Sequence, residues 1–127
     1  MSATVLTRVS SLLTAENLIS GYAVKYFRYT DADTGGNTPF ILFRQTGGGA
    51  SDILLQSIQV TITIVHNPDG ALTADETAQA IQRFLRGVTA SEGIVRIDPA
   101  VEVRGPMYME NGRPVFELVA RVFTEDL

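Results

Sequence analysis

The sequence predicts an α+β domain, a mostly antiparallel β-sheet packed with two α-helices. Three observations carry this. Two stretches repeat apolar residues at helical spacing, several others alternate apolar and polar residues, and the alternating stretches cluster on either side of the second helix. A doubly wound α/β fold would instead alternate helices with strands. At 127 residues, with no internal repeat and no linker-like composition, the chain reads as one domain spanning 1–127.

The elements follow in order. Residues 4–19 predict a helix, because Val5, Val9, Leu12 and Leu13 share one face and Gly21 can stop it. Tyr22 to Tyr29 predicts a strand, rich in tyrosine and phenylalanine, with Val24 and Tyr26 on one face and Lys25 and Phe27 on the other. Thr30 to Thr38 is a polar loop. Phe40-Ile41-Leu42-Phe43 is apolar on both faces, as expected of a strand covered on both sides. Gln45 to Asp52, centred on Gly47-Gly48-Gly49, predicts a second flexible loop. Leu54 to Val65 is the clearest strand: Ile58, Val60, Ile62 and Ile64 alternate with Gln59, Thr61 and Thr63.

Asn67-Pro68-Asp69-Gly70 is a turn signal. Thr73 and Glu76 then form a capping-box pattern that predicts a helix start. Ala74, Ala78, Ile81 and Leu85 form its apolar face, helped by Phe84, and Gly87 offers a left-handed cap. Val95 to Val103 predicts a weaker extended region, interrupted by Pro99. Asn111-Gly112 lies between Met107-Tyr108-Met109 and Val115 to Phe123 and predicts a β-hairpin. Its second strand sets Phe116, Leu118, Ala120 and Val122 against Val115, Glu117, Val119 and Arg121.

Composition excludes several function classes. The hydrophobic fraction of 45% and charged fraction of 19% describe a globular chain. The low charged fraction mildly favours a protein that buries surface between subunits. There is no cysteine, which rules out disulfides and thiolate metal sites and fits a reducing compartment. Net charge is −4, and the ten basic residues are scattered, so specific nucleic-acid binding is not expected. No apolar run is long enough for a membrane-spanning helix, and no signal peptide is expected at the N-terminus.

Each candidate for chemistry lacks a required part. His66 is the sole histidine, and no Gly-x-Ser-x-Gly elbow accompanies it, so it reads as a residue at a strand end. Asp31-Ala32-Asp33-Thr34-Gly35-Gly36 resembles the start of a calcium loop, but Leu42 stands where a bidentate glutamate belongs. Gly47-Gly48-Gly49 runs toward a strand rather than a helix, with no lysine after it, so it is not a phosphate loop. Asp75 and Glu76 suit a helix N-terminus, and Glu102, Glu110 and Glu117 suit a solvated face. No catalytic residue, metal site or cofactor is expected, and the chain reads as a protein that works by contacting other proteins.

The segment Phe40-Ile41-Leu42-Phe43-Arg44-Gln45-Thr46-Gly47-Gly48-Gly49 resembles the Gly-Gly loop region of the tail terminator and neck proteins of tailed phages. So do Asp52, the strand Ile58 to Val65, the alanine-rich helix Ala74 to Leu85, and Gly112-Arg113-Pro114-Val115-Phe116-Glu117-Leu118-Val119-Ala120-Arg121-Val122 as closing strand. The likeness covers most of the chain through diffuse motifs and is to the siphophage, lambda-like group. It implies a virion protein, assembled in the host cytoplasm, that forms a homo-oligomeric ring, typically a hexamer, at the head-proximal end of the tail. Such a ring ends tail-tube polymerisation and meets a head-completion protein. A head–tail connector or tail-completion protein is the alternative role, and a small ligand-binding domain a more distant one.

For contacts, the loops at 30–38 and 45–53 stand out, with Asp31, Asp33, Gly35, Arg44, Gln45, Gly47, Gly48, Gly49 and Asp52 as candidate interface residues and Tyr26 and Arg28 beside them. Glycine-rich loops can order on docking. An acidic balance would let DNA pass a central channel without sticking if the acids line it.

Overall fold

The computed structural model describes residues 5–27, 38–48, 55–91 and 94–125. Along the chain run α1 (Val5–Ala15), β1 (Ala23–Tyr26), β2 (Phe40–Gly48), β3 (Leu55–Val65), α2 (Ala71–Arg86), β4 (Thr89–Ser91), β5 (Ile94–Tyr108) and β6 (Pro114–Glu125). The strands form one six-stranded sheet in the order β1-β2-β3-β6-β5-β4. Every pairing is antiparallel except β1 with β2. The α+β prediction is therefore correct.

Both helices lie on one face of the sheet. Val5, Leu6, Val9 and Leu13 of α1 and Ala74, Ala78, Ile81 and Leu85 of α2 share a core with Ile41, Phe43, Ile62, Ile64, Phe116, Leu118 and Val122. The strand residues in this set face one way because alternation sends every second side chain to the same face. Phe40, Leu42 and Val65 point to the opposite face and are buried there too, so β2 is covered on both sides as its sequence predicts.

Several boundaries differ from the sequence reading, each for a physical reason. The first helix ends at Ala15, short of Gly21, because Asn17 takes the left-handed conformation at φ 58°. The Leu18 N–H then reaches Leu13 O and the Asn17 N–H reaches Thr14 O, the two bonds of a Schellman cap. The strand expected over Tyr22 to Tyr29 is only Ala23–Tyr26. Phe27 leaves it at φ 70°, and residues 28–37 lie outside the described residues.

The second loop does not begin at Gln45 as expected. Gln45, Gly47 and Gly48 belong to β2, paired with Val60, Gln59 and Ile58 across a bulge. The ladder offered by the long, strongly alternating β3 overrides the poor strand preference of glycine. Leu54 and residues 49–53 lie outside the described residues.

The second helix begins at Ala71 rather than Thr73, and the capping box is not formed. The turn closes through Gly70 N–H to Asn67 O (2.8 Å), and Gly70 O then receives the Ala74 N–H (2.9 Å). A Cβ on Gly70 would fall 1.9 Å from His66 Nδ1, so only glycine fits against the imidazole. Gly87 closes the helix from the right-handed region (φ −95°), not the left-handed one.

Residues 94–108 form one long strand, not a short region broken at Pro99. It reaches this length by bulging repeatedly against β6, with register shifts at Ile94/Arg96, Pro99/Val101, Val101/Arg104 and Arg104/Met107. Pro99 sits at one of these shifts, where a missing N–H is tolerated. Beyond the short pairing with β4, no described strand lies outside β5. Bulges, Pro99 and Pro106 guard this open edge, and the Gln82 side chain of α2 accepts the Val103 N–H at 2.7 Å.

The predicted hairpin is present. Its loop is Glu110-Asn111-Gly112, closed by Gly112 N–H to Met109 O and by Met109 N–H to Arg113 O, with Gly112 left-handed at φ 85°.

Candidate interaction surfaces

Register places most charged strand residues on the face away from the helices; Glu102 instead pairs with Arg86 of α2 at 3.0 Å. Asp98 lies opposite Arg121, Arg104 opposite Glu117, Arg96 opposite Phe123, Arg44 opposite Thr61 and Lys25 opposite Leu42. Among the described side chains, five cations (Lys25, Arg44, Arg96, Arg104 and Arg121) therefore meet two carboxylates (Asp98 and Glu117) on this face. The whole chain carries a net −4, so the sheet face is basic on an acidic protein. Glu117 is shared: Arg104 Nη2 reaches one oxygen at 2.6 Å and Arg44 Nη2 the other at 3.9 Å. Arg96 pairs with Asp98 at 3.3 Å and lies over the Phe123 ring at 4.3 Å. Arg121 makes no ion pair among the described residues. Between the arginines, Val101 and Val119 sit directly opposite each other and leave an apolar spot in a shallow groove of about 440 Å³.

The helix side differs. Leu72, in the first turn of α2, is 73% exposed. Asp75 and Glu76 follow it at three and four residues and so share its helix face. Asp75 and Glu76 line a groove of about 570 Å³ between α2 and the turn after α1, near Asn17 and Leu18.

Of the sequence-derived interface residues, Arg44 and Gln45 are exposed near the end of β2, and Gly47 and Gly48 extend that strand. Asp31, Asp33, Gly35, Gly49 and Asp52 lie outside the described residues, as does Arg28. Tyr26 turns toward the helices: its hydroxyl shares a 2.7 Å hydrogen bond with Ser10 Oγ, and its ring packs on Phe43. That contact ties β1 to α1, so only part of the ring faces solvent.

Sequence reasoning missed Arg113 as a structural residue. Its side chain is 2% exposed. Nε donates to His66 O (3.1 Å), Nη2 donates to Thr38 O (2.7 Å), and the guanidinium lies 5.4 Å from the centre of the Phe40 ring. One side chain thus joins the entry to β2, the exit of β3 and the start of β6. Burial lowers its pKa. Nothing local announces this role, because its partners are carbonyls distant in sequence.

His66 stands beside that clamp. Its Nδ1 accepts the Asn67 N–H at 2.8 Å, and Tyr22 meets the ring edge-on at 5.7 Å. The Tyr22 hydroxyl donates to Thr77 Oγ1, and burial raises its pKa. Burial pushes the imidazole below its ordinary 6.5, Asp69 opposes that, and Arg113 adds to it. Because the folded pKa is depressed, stability from neutral His66 is complete above about 6.5 and is lost as pH falls through the folded pKa. The urea midpoint of the wild type should therefore fall between pH 7.5 and 5.5, and His66→Gln should flatten that slope.

Among the described residues no three carboxylates or histidines gather as metal ligands. The small cavity under α2, lined by Leu85, Ile97 and Leu118 among others, holds about 10 Å³, room for one water at most. The 440 and 570 Å³ grooves are open to the surface.

Comparison with known proteins agrees with that architecture. A model of the phage tail termination protein family matches residues 2–126. Among curated proteins none matches the chain. Among solved structures, the chain is similar to one from the virion of a native gene transfer agent particle, at 16% identity and a TM-score of 0.64, over 96% of this chain and 95% of that one. At that identity the likeness speaks to the fold. The family match spans nearly every residue, and the chain belongs to the phage tail termination protein family, among the structural proteins of the phage tail.

Proposed function

We propose that the chain closes into a homo-oligomeric ring, a hexamer, at the head-proximal end of a phage tail. There it ends tail-tube polymerisation and offers a surface to the head-completion protein. The observation that carries this reading is the family match over residues 2–126. The virion component that shares its fold is consistent with it. The protein has no catalytic part in this reading; assembly takes place in the host cytoplasm, and the product is the virion tail.

A closed ring needs a heterologous contact, in which two different patches of one subunit meet. The segments at 30–38 and 49–53, with Asp31, Asp33, Gly35, Gly49 and Asp52, are proposed to meet the tail tube or the head, with Arg44, Gln45, Gly47 and Gly48 of β2 leading into the second. DNA passes through the ring without specific binding, and acids facing the channel keep it from sticking.

The test is to add purified protein to polymerising tail-tube subunits and measure tube length by electron microscopy. Capped tubes of limited length are expected. A head–tail connector, the alternative role on the same fold, would leave tube length unchanged. Light scattering over a concentration series should show a species six times the subunit mass, free or on the tube end. A stable dimer at all concentrations would overturn the ring.

A further inference from the structure

Two patches of the subunit differ in charge. On the sheet face, the apolar pair Val101 and Val119 is flanked by Arg104 opposite Glu117 and by Arg121 opposite Asp98, and Arg44 and Arg96 stand beside these carboxylates, so four cations meet two anions there. On α2, the exposed Leu72 is flanked on its own helix face by Asp75 and Glu76. One patch is an apolar spot in a net cationic cluster, the other an apolar knob beside anions. Charge is left over in both. Asp75, Glu76 and Arg121 make no ion pair among the described residues, and Arg104 shares Glu117 with Arg44.

We propose that these patches are the two halves of one contact between neighbouring copies of this chain, with Leu72, Asp75 and Glu76 of one copy seated on Val101, Val119, Arg104 and Arg121 of the next. The inference rests on the ring reading and says which surfaces close it. The patches lie on opposite layers, so the contact is head-to-tail and each copy uses both, as a closing rotation requires. Complementary charge sets the register and excludes the face-to-face pairing of two basic sheets. The contact also covers the basic sheet face and keeps it away from passing DNA.

A pair of charge-reversed proteins tests this. One carries Asp75→Arg and Glu76→Arg, the other Arg104→Glu and Arg121→Glu. Each alone sets like charges against each other at every contact, and its assembly should require roughly 100-fold more protein than the wild type. An equimolar mixture should recover assembly, because in an alternating ring each altered helix meets an altered sheet and each native helix a native sheet. Recovery also shows that both variants fold. Leu72→Ser should weaken assembly with an unchanged melting temperature.

If the wild type forms rings and either charge-reversed protein does so equally well, the inference is wrong and the ring stands. A mixture that stays unassembled when each part fails alone also overturns it. A wild type that stays monomeric even on tube ends overturns the ring reading and this contact with it.

Discussion

Arg113→Met should lower stability by about 3 kcal/mol, since it removes two charge-assisted hydrogen bonds, from a buried guanidinium to the carbonyls of Thr38 and His66. Methionine fills much of the volume, so the cost comes from lost hydrogen bonds and the lost cation over Phe40 rather than from a cavity. For a domain of this size the melting temperature should drop by roughly 10 °C. Arg113→Lys should recover less than half. An ammonium is a compact charge on a flexible stem, whereas the planar fork reaches two carbonyls at once from a fixed position. Urea unfolding of the three proteins checks this. If Arg113→Met is as stable as wild type, the clamp contributes nothing and the strand ends are held by the ladder alone.

Gly105→Ala should cost about 3 kcal/mol as well, from two sources. Gly105 has φ +131°, which a residue with a Cβ rarely adopts. A Cβ there would also stand 2.6 Å from Val115 O and 3.2 Å from Phe116 Cα, both backbone atoms of the paired strand. Neither can yield without moving β6. Gly112→Ala is the control. It too has positive φ, but its nearest neighbour would be Pro68 Cβ at 3.9 Å, so only the backbone term of about 1 kcal/mol remains. Comparable melting temperatures for the two variants would show that the close approach to Val115 does not matter. Gly105 also lies in the bulge between Arg104 and Met107, which re-aims the strand, so a shifted register there would move Arg104 off the open face.

These two residues show where sequence reasoning stops. Gly105 lies between the stretch read only as weakly extended, Val95 to Val103, and the hairpin strand at Met107, in a gap given no element, because four bulges scramble the alternation that marks a strand. Arg113 sits in a turn, where an arginine ordinarily meets water. Asn17 ended α1 through a left-handed cap that the helical spacing of Val5, Val9, Leu12 and Leu13 does not register. Conversely, β3, the apolar face of α2 and the hairpin at Asn111-Gly112 were legible, because each is specified by nearest neighbours: alternation, helical period and a turn glycine. The candidate contact residues were legible only as loops. Arg44 and Gln45 are indeed exposed, but the arginines of the sheet face look scattered in sequence and gather only once β1, β2, β5 and β6 lie side by side.

By itself the sequence determined the α+β class, the identity of the core-facing residues in β3, α2 and β6, and the absence of cysteine chemistry. Those depend on local periodicity and on which atoms the chain contains. Its likeness to tail terminators, through Phe40 to Gly49 and Gly112 to Val122, was also readable and agrees with the family match. Only the tertiary structure decided that β1 joins β2 in parallel, that Gln45 to Gly48 is strand rather than loop, that Arg113 closes the end of the sheet, and that cations of four strands gather on one face. Each of those depends on strand order and register, which bring together residues many positions apart, and local patterns carry no information about which distant strand will be the neighbour.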